Sequence, residues 1–255
     1  MTEVAQQTHT YDSPIIEAAI SIDCDLAPGA TMDEILGNAE NRLSEAYPII
    51  EKLQEQEHTI EQTQKGLSHR VVQENKTVRF IRKDKTQVVQ FGINGFVFNR
   101  LTPYTSLDDY LVEVGELWDV YQQTANPLMI NKISMRYINR IVIPHENEQD
   151  LDLNSYLTVI PAIMPNEELS FGGIFQSVRF SSRDKRLNAQ LTVATENLIN
   201  EGLSVIVDIE VFTLKNEAPA ALSVWMSDIQ DLRALKNSIY QTTLTERCHN
   251  LFQHP

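Results

Sequence analysis

Two arginines four residues apart, on the most strongly strand-forming stretch of the chain, are the residues best suited to chemistry. Residues 128–144, LMINKISMRYINRIVIP, alternate so that Arg136, Ile138, Arg140 and Val142 share one face of an extended ribbon, and Met135, Tyr137, Asn139, Ile141 and Ile143 share the other. The two guanidinium groups then point the same way, roughly 13 Å apart along the strand. Within 205–212, Asp208 and Glu210 lie on a common face with Ile206 and Phe212. Opposite charges on matching faces of two strands predict an internal salt-bridge ladder of Arg136, Arg140, Asp208 and Glu210, because a charge in a core must be paired. The planar guanidinium fork also suits phosphate or carboxylate, so Arg136 and Arg140, with Arg179 from a third strand, make an alternative site for a small anionic or nucleotide ligand. Contact with a partner protein is the third use of such a face.

Other reactive patterns are missing. Neither GxxxxGK[ST] nor GxGxxG occurs, and Gly172-Gly173 reads as a turn before a strand. No GxSxG elbow is present. Cys24 and Cys248 are more than two hundred positions apart and read as reduced thiols; Cys248 adjoins His249, but neighbours on a helix point in different directions. The six histidines are scattered, with no HExxH or DxDxDG spacing, and His145-Glu146 reads as a solvated acidic loop. We therefore expect no catalytic residue, no metal and no cofactor, and rank a carboxylate enzyme third among functions.

Charge narrows the partners. Thirty-five acidic against twenty-one basic side chains leave a net charge of -14, which opposes general attraction to nucleic acid. Two basic hairpin tips, 82–85 and 183–186, would make a local nucleic-acid contact only if they fell on the same edge; otherwise they keep hairpins soluble. No basic leader precedes an apolar core, and no apolar run approaches the roughly 20 residues of a membrane helix, so a cytoplasmic protein without membrane contact is expected.

The elements that must position these residues follow from periodicity. A polar tail at 1–12 precedes a strand at 14–25, in which Ile16, Ala18, Ile20 and Ile22 alternate with polar or small residues. Thr31 and Glu34 form a capping box, and a helical stripe runs from Met32 to Tyr47 before Pro48 ends it. Residues 58–64, 68–74 and 77–98 read as a meander with turns at 65–66, 74–76 and 82–85; a second helix spans 106–123. After the strand at 128–144 come a short helix at 153–159, strands at 174–181, 188–194 and 203–214, and a terminal helix, broken once, over 220–252. Its apolar stripe includes Lys236. The predicted fold is α+β: a large twisted antiparallel sheet, whole or in two sub-sheets, packed against three main helices. Residues 13–255 form one domain with loosely similar halves, about 13–125 and 126–255, and no sequence repeat is evident.

The segment ISMRYINRIVIP resembles the RYINRI signature of a sporadically distributed prokaryotic family of unknown function and similar length. Pro14-Ile15-Ile16-Glu17, Pro103-Tyr104 and the stretch IYQTTLT at 239–245 fit in the same order. The chain departs from the family pattern at Leu107, where a tryptophan follows the Pro-Tyr pair, and at Arg233, where a histidine is common. The resemblance implies one compact α+β domain and an association with defence or mobile loci; it transfers no activity. Together these observations lead us to expect a non-catalytic cytosolic binding or adaptor protein acting with a protein partner. The alternative is a sensor of a small anionic or nucleotide ligand through the strand arginines.

Overall fold

The computed structural model describes residues 13–63, 66–144, 152–161, 172–199 and 202–252; the expected tail at 1–12 and nearly all of the acidic loop lie outside the described residues. In chain order the elements are β1 (Ile15–Asp25), α1 (Met32–Leu43), β2 (Ile49–Thr63), β3 (Gly66–Ile81), β4 (Gln87–Gly92), β5 (Gly95–Leu101), α2 (Leu111–Ala125), β6 (Met129–Ile143), β7 (Phe175–Ser181), β8 (Asn188–Ile199), β9 (Gly202–Glu217), α3 (Met226–Thr243) and α4 (Glu246–His249). The strands form a single open sheet in the order β2-β3-β4-β5-β1-β6-β9-β8-β7. All eight neighbouring pairs are antiparallel. The α+β architecture is thus one continuous nine-stranded sheet and not two sub-sheets.

Period-two patterning decides which face the helices cover. On β6, Ile133, Met135, Tyr137, Ile141 and Ile143 are buried, while Arg136 and Arg140 are exposed. Helix α1 packs on β3 and on α2, α2 on β5, and α3 on β6 and β9. Between these helices and the sheet lies an aromatic core: Trp118 stacks on Tyr121 with ring centroids 5.5 Å apart, and Phe96 (5.8 Å) and Trp225 (5.9 Å) complete its contacts. The indole N–H of Trp118 donates to the Ala220 carbonyl at 2.8 Å, so this fully buried ring leaves no donor unpaired. The opposite face carries the sheet's charged and small side chains.

Several local expectations shift by a few residues for identifiable reasons. The Thr31 hydroxyl accepts from the Glu34 N–H, as a capping residue does, but α1 stops at Leu43 and turns before Pro48. The turn expected at 74–76 is a bulge inside β3, where Asn75 faces Gln54 and Thr77 faces Leu53. The chain turns instead at Ile93-Asn94, a two-residue loop between the paired Gly92 and Gly95. The short helix near 153 is only a three-residue 3-10 turn, Leu153–Ser155.

The halves are more alike than the sequence alone suggests. Counting outward from the central β1/β6 pair, β5 corresponds to β9, β4 to β8 and β3 to β7. Under that correspondence, VRFIRKDKTQVVQ at 78–90 aligns with VRFSSRDKRLNAQ at 178–190, identical at 6 of 13 positions, 100 residues apart. The turns match in detail. Lys85 (φ 59) and Lys185 (φ 58) both adopt the left-handed conformation, and their N–H groups donate to Arg82 O (2.9 Å) and Ser182 O (2.8 Å). Asp84 accepts from the Thr86 N–H at 3.0 Å as Asp184 does from the Arg186 N–H at 3.1 Å. A repeat therefore exists, and in sequence it is confined to this one hairpin. One strand breaks the correspondence: β2 pairs along the outer side of β3, and among the described residues nothing occupies that place beside β7.

Candidate functional site

All three arginines singled out by the sequence stand on the uncovered face. Arg136 makes a forked contact with Asp208, Nε to Oδ1 at 2.9 Å and Nη2 to Oδ2 at 2.6 Å. Arg140 holds Glu196, Nε to Oε2 at 2.9 Å and Nη2 to Oε1 at 3.2 Å, and the Ser204 hydroxyl also donates to that carboxylate at 2.7 Å. Ser204 first and Arg140 second hold the Glu196 carboxyl below its usual range. Glu210 pairs with Lys132 at 3.3 Å, and Lys132 also reaches Asp23 at 3.1 Å. Among the described residues Arg179 donates only to Gln190, at 3.2 Å.

Two expectations change. The ladder is not internal: the Arg136 and Arg140 side chains are 52% and 47% exposed, because every helix that packs on the sheet lies against the other face. Arg140 is matched by Glu196, which the sequence placed beyond the end of its strand, and not by Asp208 or Glu210. Nor do the three arginines converge. Arg179, Gln190, Glu210 and Arg136 lie in one row across β7, β8, β9 and β6, so Arg179 and Arg136 are three strand spacings, about 14 Å, apart. Arg140→Met is expected to cost less than about 1 kcal/mol in urea unfolding, as for an exposed pair; a loss of several kcal/mol would restore the internal ladder.

The basic tips also separate. Arg79 of β3 and Ser181 of β7 share one cross-sheet row, and Ile81 and Arg179 share the next. The two hairpins therefore run in opposite directions and their tips lie at opposite ends of the sheet. They present no joint edge to a nucleic acid.

What the sheet does offer is an edge. The Ser182 N–H donates to Leu187 O (2.8 Å) and the Thr195 N–H to Ile174 O (3.0 Å), which fixes the alternation along β7. Even-numbered residues bond to β8; the backbone groups of Phe175, Ser177, Arg179 and Ser181 point outward. The strand FQSVRFS contains no proline, no lysine and no bulge against β8. Phe175 is 80% exposed and Phe180 45%. Edges are normally blunted by such devices, and the opposite edge, β2, is acid-rich and pairs with β3 across a bulge.

A further cluster sits behind Tyr137 on the helix-covered face. The Tyr104 and Tyr137 hydroxyls are 3.2 Å apart, and Lys236 Nζ rests 4.0 Å from the Tyr137 ring centroid. Arg233, one turn away on α3, is held by Asp108 at 2.9 and 3.0 Å. Burial, then the charge of Arg233, pushes the Lys236 ammonium down to about 8. The adjoining crevice, lined by Ala18, Phe98, Arg100, Tyr104, Tyr110 and Tyr137, has room for about one water molecule. The one sequence signal for this cluster was a lysine on an otherwise apolar helical stripe. Cys24 and Cys248 are buried, and burial pushes both thiols up to about 11, where they are inert as nucleophiles at neutral pH.

Among the described residues, no group of three His, Cys, Asp or Glu side chains is arranged to hold a metal ion, and no helix is long and apolar enough to cross a membrane. The fold and its edge define an open antiparallel sheet covered by helices on one face. No protein-family model matches the chain, and no curated protein matches it.

Proposed function

We propose that the chain is a non-catalytic cytoplasmic binding or adaptor protein whose partner docks on the outer edge of β7. The observation that carries this function is an edge left unpaired among the described residues: four residues with outward backbone groups beside two exposed phenylalanines, on a strand whose counterpart β3 is paired on both sides. An extended segment added there gains main-chain hydrogen bonds, while the phenylalanines supply apolar area to bury. The two free, buried cysteines fit a reducing compartment.

Ser177→Pro tests the docking mode. Its N–H faces away from β8, so proline removes an outward donor and leaves the native ladder intact. The expected outcome is a variant with unchanged thermal stability that no longer co-elutes with the partner retained by the wild-type chain. Identical retention by both would remove the edge from consideration.

A further inference from the structure

The repeat specifies what kind of strand the vacant place fits. On the first half, β2 lies on β3 with Ile49 opposite Ile81, Ile50 opposite Phe80, Glu51 opposite Arg79 and Leu53 opposite Thr77. Glu51 Oε2 is 4.0 Å from Arg79 Nη1, and Arg79 Nε also donates to Gln90 at 3.4 Å. Shifted by 100 residues, Arg179 makes the same bond to Gln190 at 3.2 Å but has no carboxylate within reach among the described residues. Phe80 is completely buried, whereas Phe180 is 45% exposed, the difference expected where no counterpart of Ile50 and of α1 covers the ring. Arg183 and Lys185, at the tip of the same hairpin, also have no ion pair among the described residues, whereas Arg186 beside them is held by Asp184, Asp228 and Asp231.

Resting on the edge-docking function proposed above, we infer that β7 receives an extended acidic segment of another protein, antiparallel and in the register of β2 on β3. Such a segment places a Glu or Asp opposite Arg179 and an aliphatic side chain opposite Phe180. A second copy of this chain is the poorer occupant. Antiparallel self-pairing centred on Val178 sets Arg179 diagonally beside the partner's Arg179, so like charges meet where β2 provides an opposite one. The side of β2 that faces β3 is already engaged in every copy, so a second copy cannot reproduce the register of β2 on β3 with that strand.

The test uses fluorescent peptides copied from β2: PIIEKLQ, and PIIKKLQ with the acid reversed. Fluorescence anisotropy is read with the full-length wild type, Arg179→Glu and Ser177→Pro, each checked for an unchanged melting temperature. The expected pattern is binding of PIIEKLQ to wild type, about fivefold weaker for PIIKKLQ, the size of one favourable cross-strand charge pair. Arg179→Glu should weaken PIIEKLQ by a similar factor and regain the loss with PIIKKLQ, and Ser177→Pro should bind neither. Equal binding of both peptides to wild type, abolished by Ser177→Pro, would overturn the acidic register while leaving edge docking in place. No binding to folded wild type at millimolar peptide would overturn both. Concentration-dependent dimerisation of the peptide-free chain, lost in Ser177→Pro, would assign the edge to a second copy instead.

Discussion

Gly202→Ala and Gly95→Ala are each expected to lower the unfolding free energy by about 3–5 kcal/mol, a large share of the roughly 5–15 kcal/mol of a typical domain. Both glycines open the strand beside a central one, at equivalent places in the two halves. Gly95 (φ 145) starts β5 against β1, and Gly202 (φ 149) starts β9 against β6. A Cβ at Gly95 would lie 2.3 Å from the Ile22 carbonyl oxygen, and one at Gly202 2.2 Å from that of Ile143. Those are backbone atoms held by the sheet ladder, so no side-chain rotation relieves the overlap, and the φ values add strain for any L side chain. Gly37→Ala is the control, since a Cβ there meets nothing within 4 Å on an exposed helical position. It should leave stability unchanged or raise it slightly. Chemical denaturation of the three variants checks the contrast; a loss below 1 kcal/mol at Gly202 would contradict the geometry of the β6/β9 junction.

Lys236→Met should act in the opposite direction. The lysine is buried against the Tyr137 ring and near Arg233, whose partner Asp108 is already committed, so its charged form is disfavoured in the folded protein. Its ammonium titrates at about 8 when folded, against an ordinary 10.5. Below pH 8 both states carry the proton and the folded state bears the full penalty. Between 8 and 10.5 the unfolded chain holds the proton that the folded one has lost, so stability rises with pH; above 10.5 the penalty is gone. A shift of that size corresponds to at most on the order of 3 kcal/mol. Lys236→Met keeps the contact with Tyr137, and is expected to be more stable than wild type at pH 7 by up to that amount. The advantage should shrink steadily through the window from pH 8 to 10.5. Subtracting the two stability profiles cancels every other titrating group; a difference independent of pH would show that Lys236 carries no such penalty.

The sheet was legible because alternation is a strong signal. The residues Met135, Tyr137, Ile141 and Ile143 assign one face of β6 without any coordinates, and the pairing of β6 with β9 follows from charges on matching faces. What alternation could not supply was which face the helices cover. Both faces of β6 carry isoleucine, so alternation did not correct the reading of the arginine row as internal; α3 packs on the tyrosine side and leaves that row uncovered. Glu196 was missed because the predicted strand ended at Ala194, before the polar residues Thr195, Glu196 and Asn197, yet β8 continues to Ile199. The repeat was missed because only one hairpin preserves it, and its meaning depends on β3 and β7 holding corresponding places in the sheet. The edge was beyond sequence altogether. FQSVRFS looks like any half-buried strand, and only the strand order shows that one of its sides pairs with nothing among the described residues.

Amide hydrogen exchange along β7, followed residue by residue in the isolated protein, tests the free edge most directly. Exchange is expected to be fast at Phe175, Ser177, Arg179 and Ser181 and slow at Gln176, Val178 and Phe180, while Arg79 and Ile81 of β3, paired on the outer side, stay slow. Slow exchange at all seven residues of β7 would mean that its outer side is already filled, and would contradict the account.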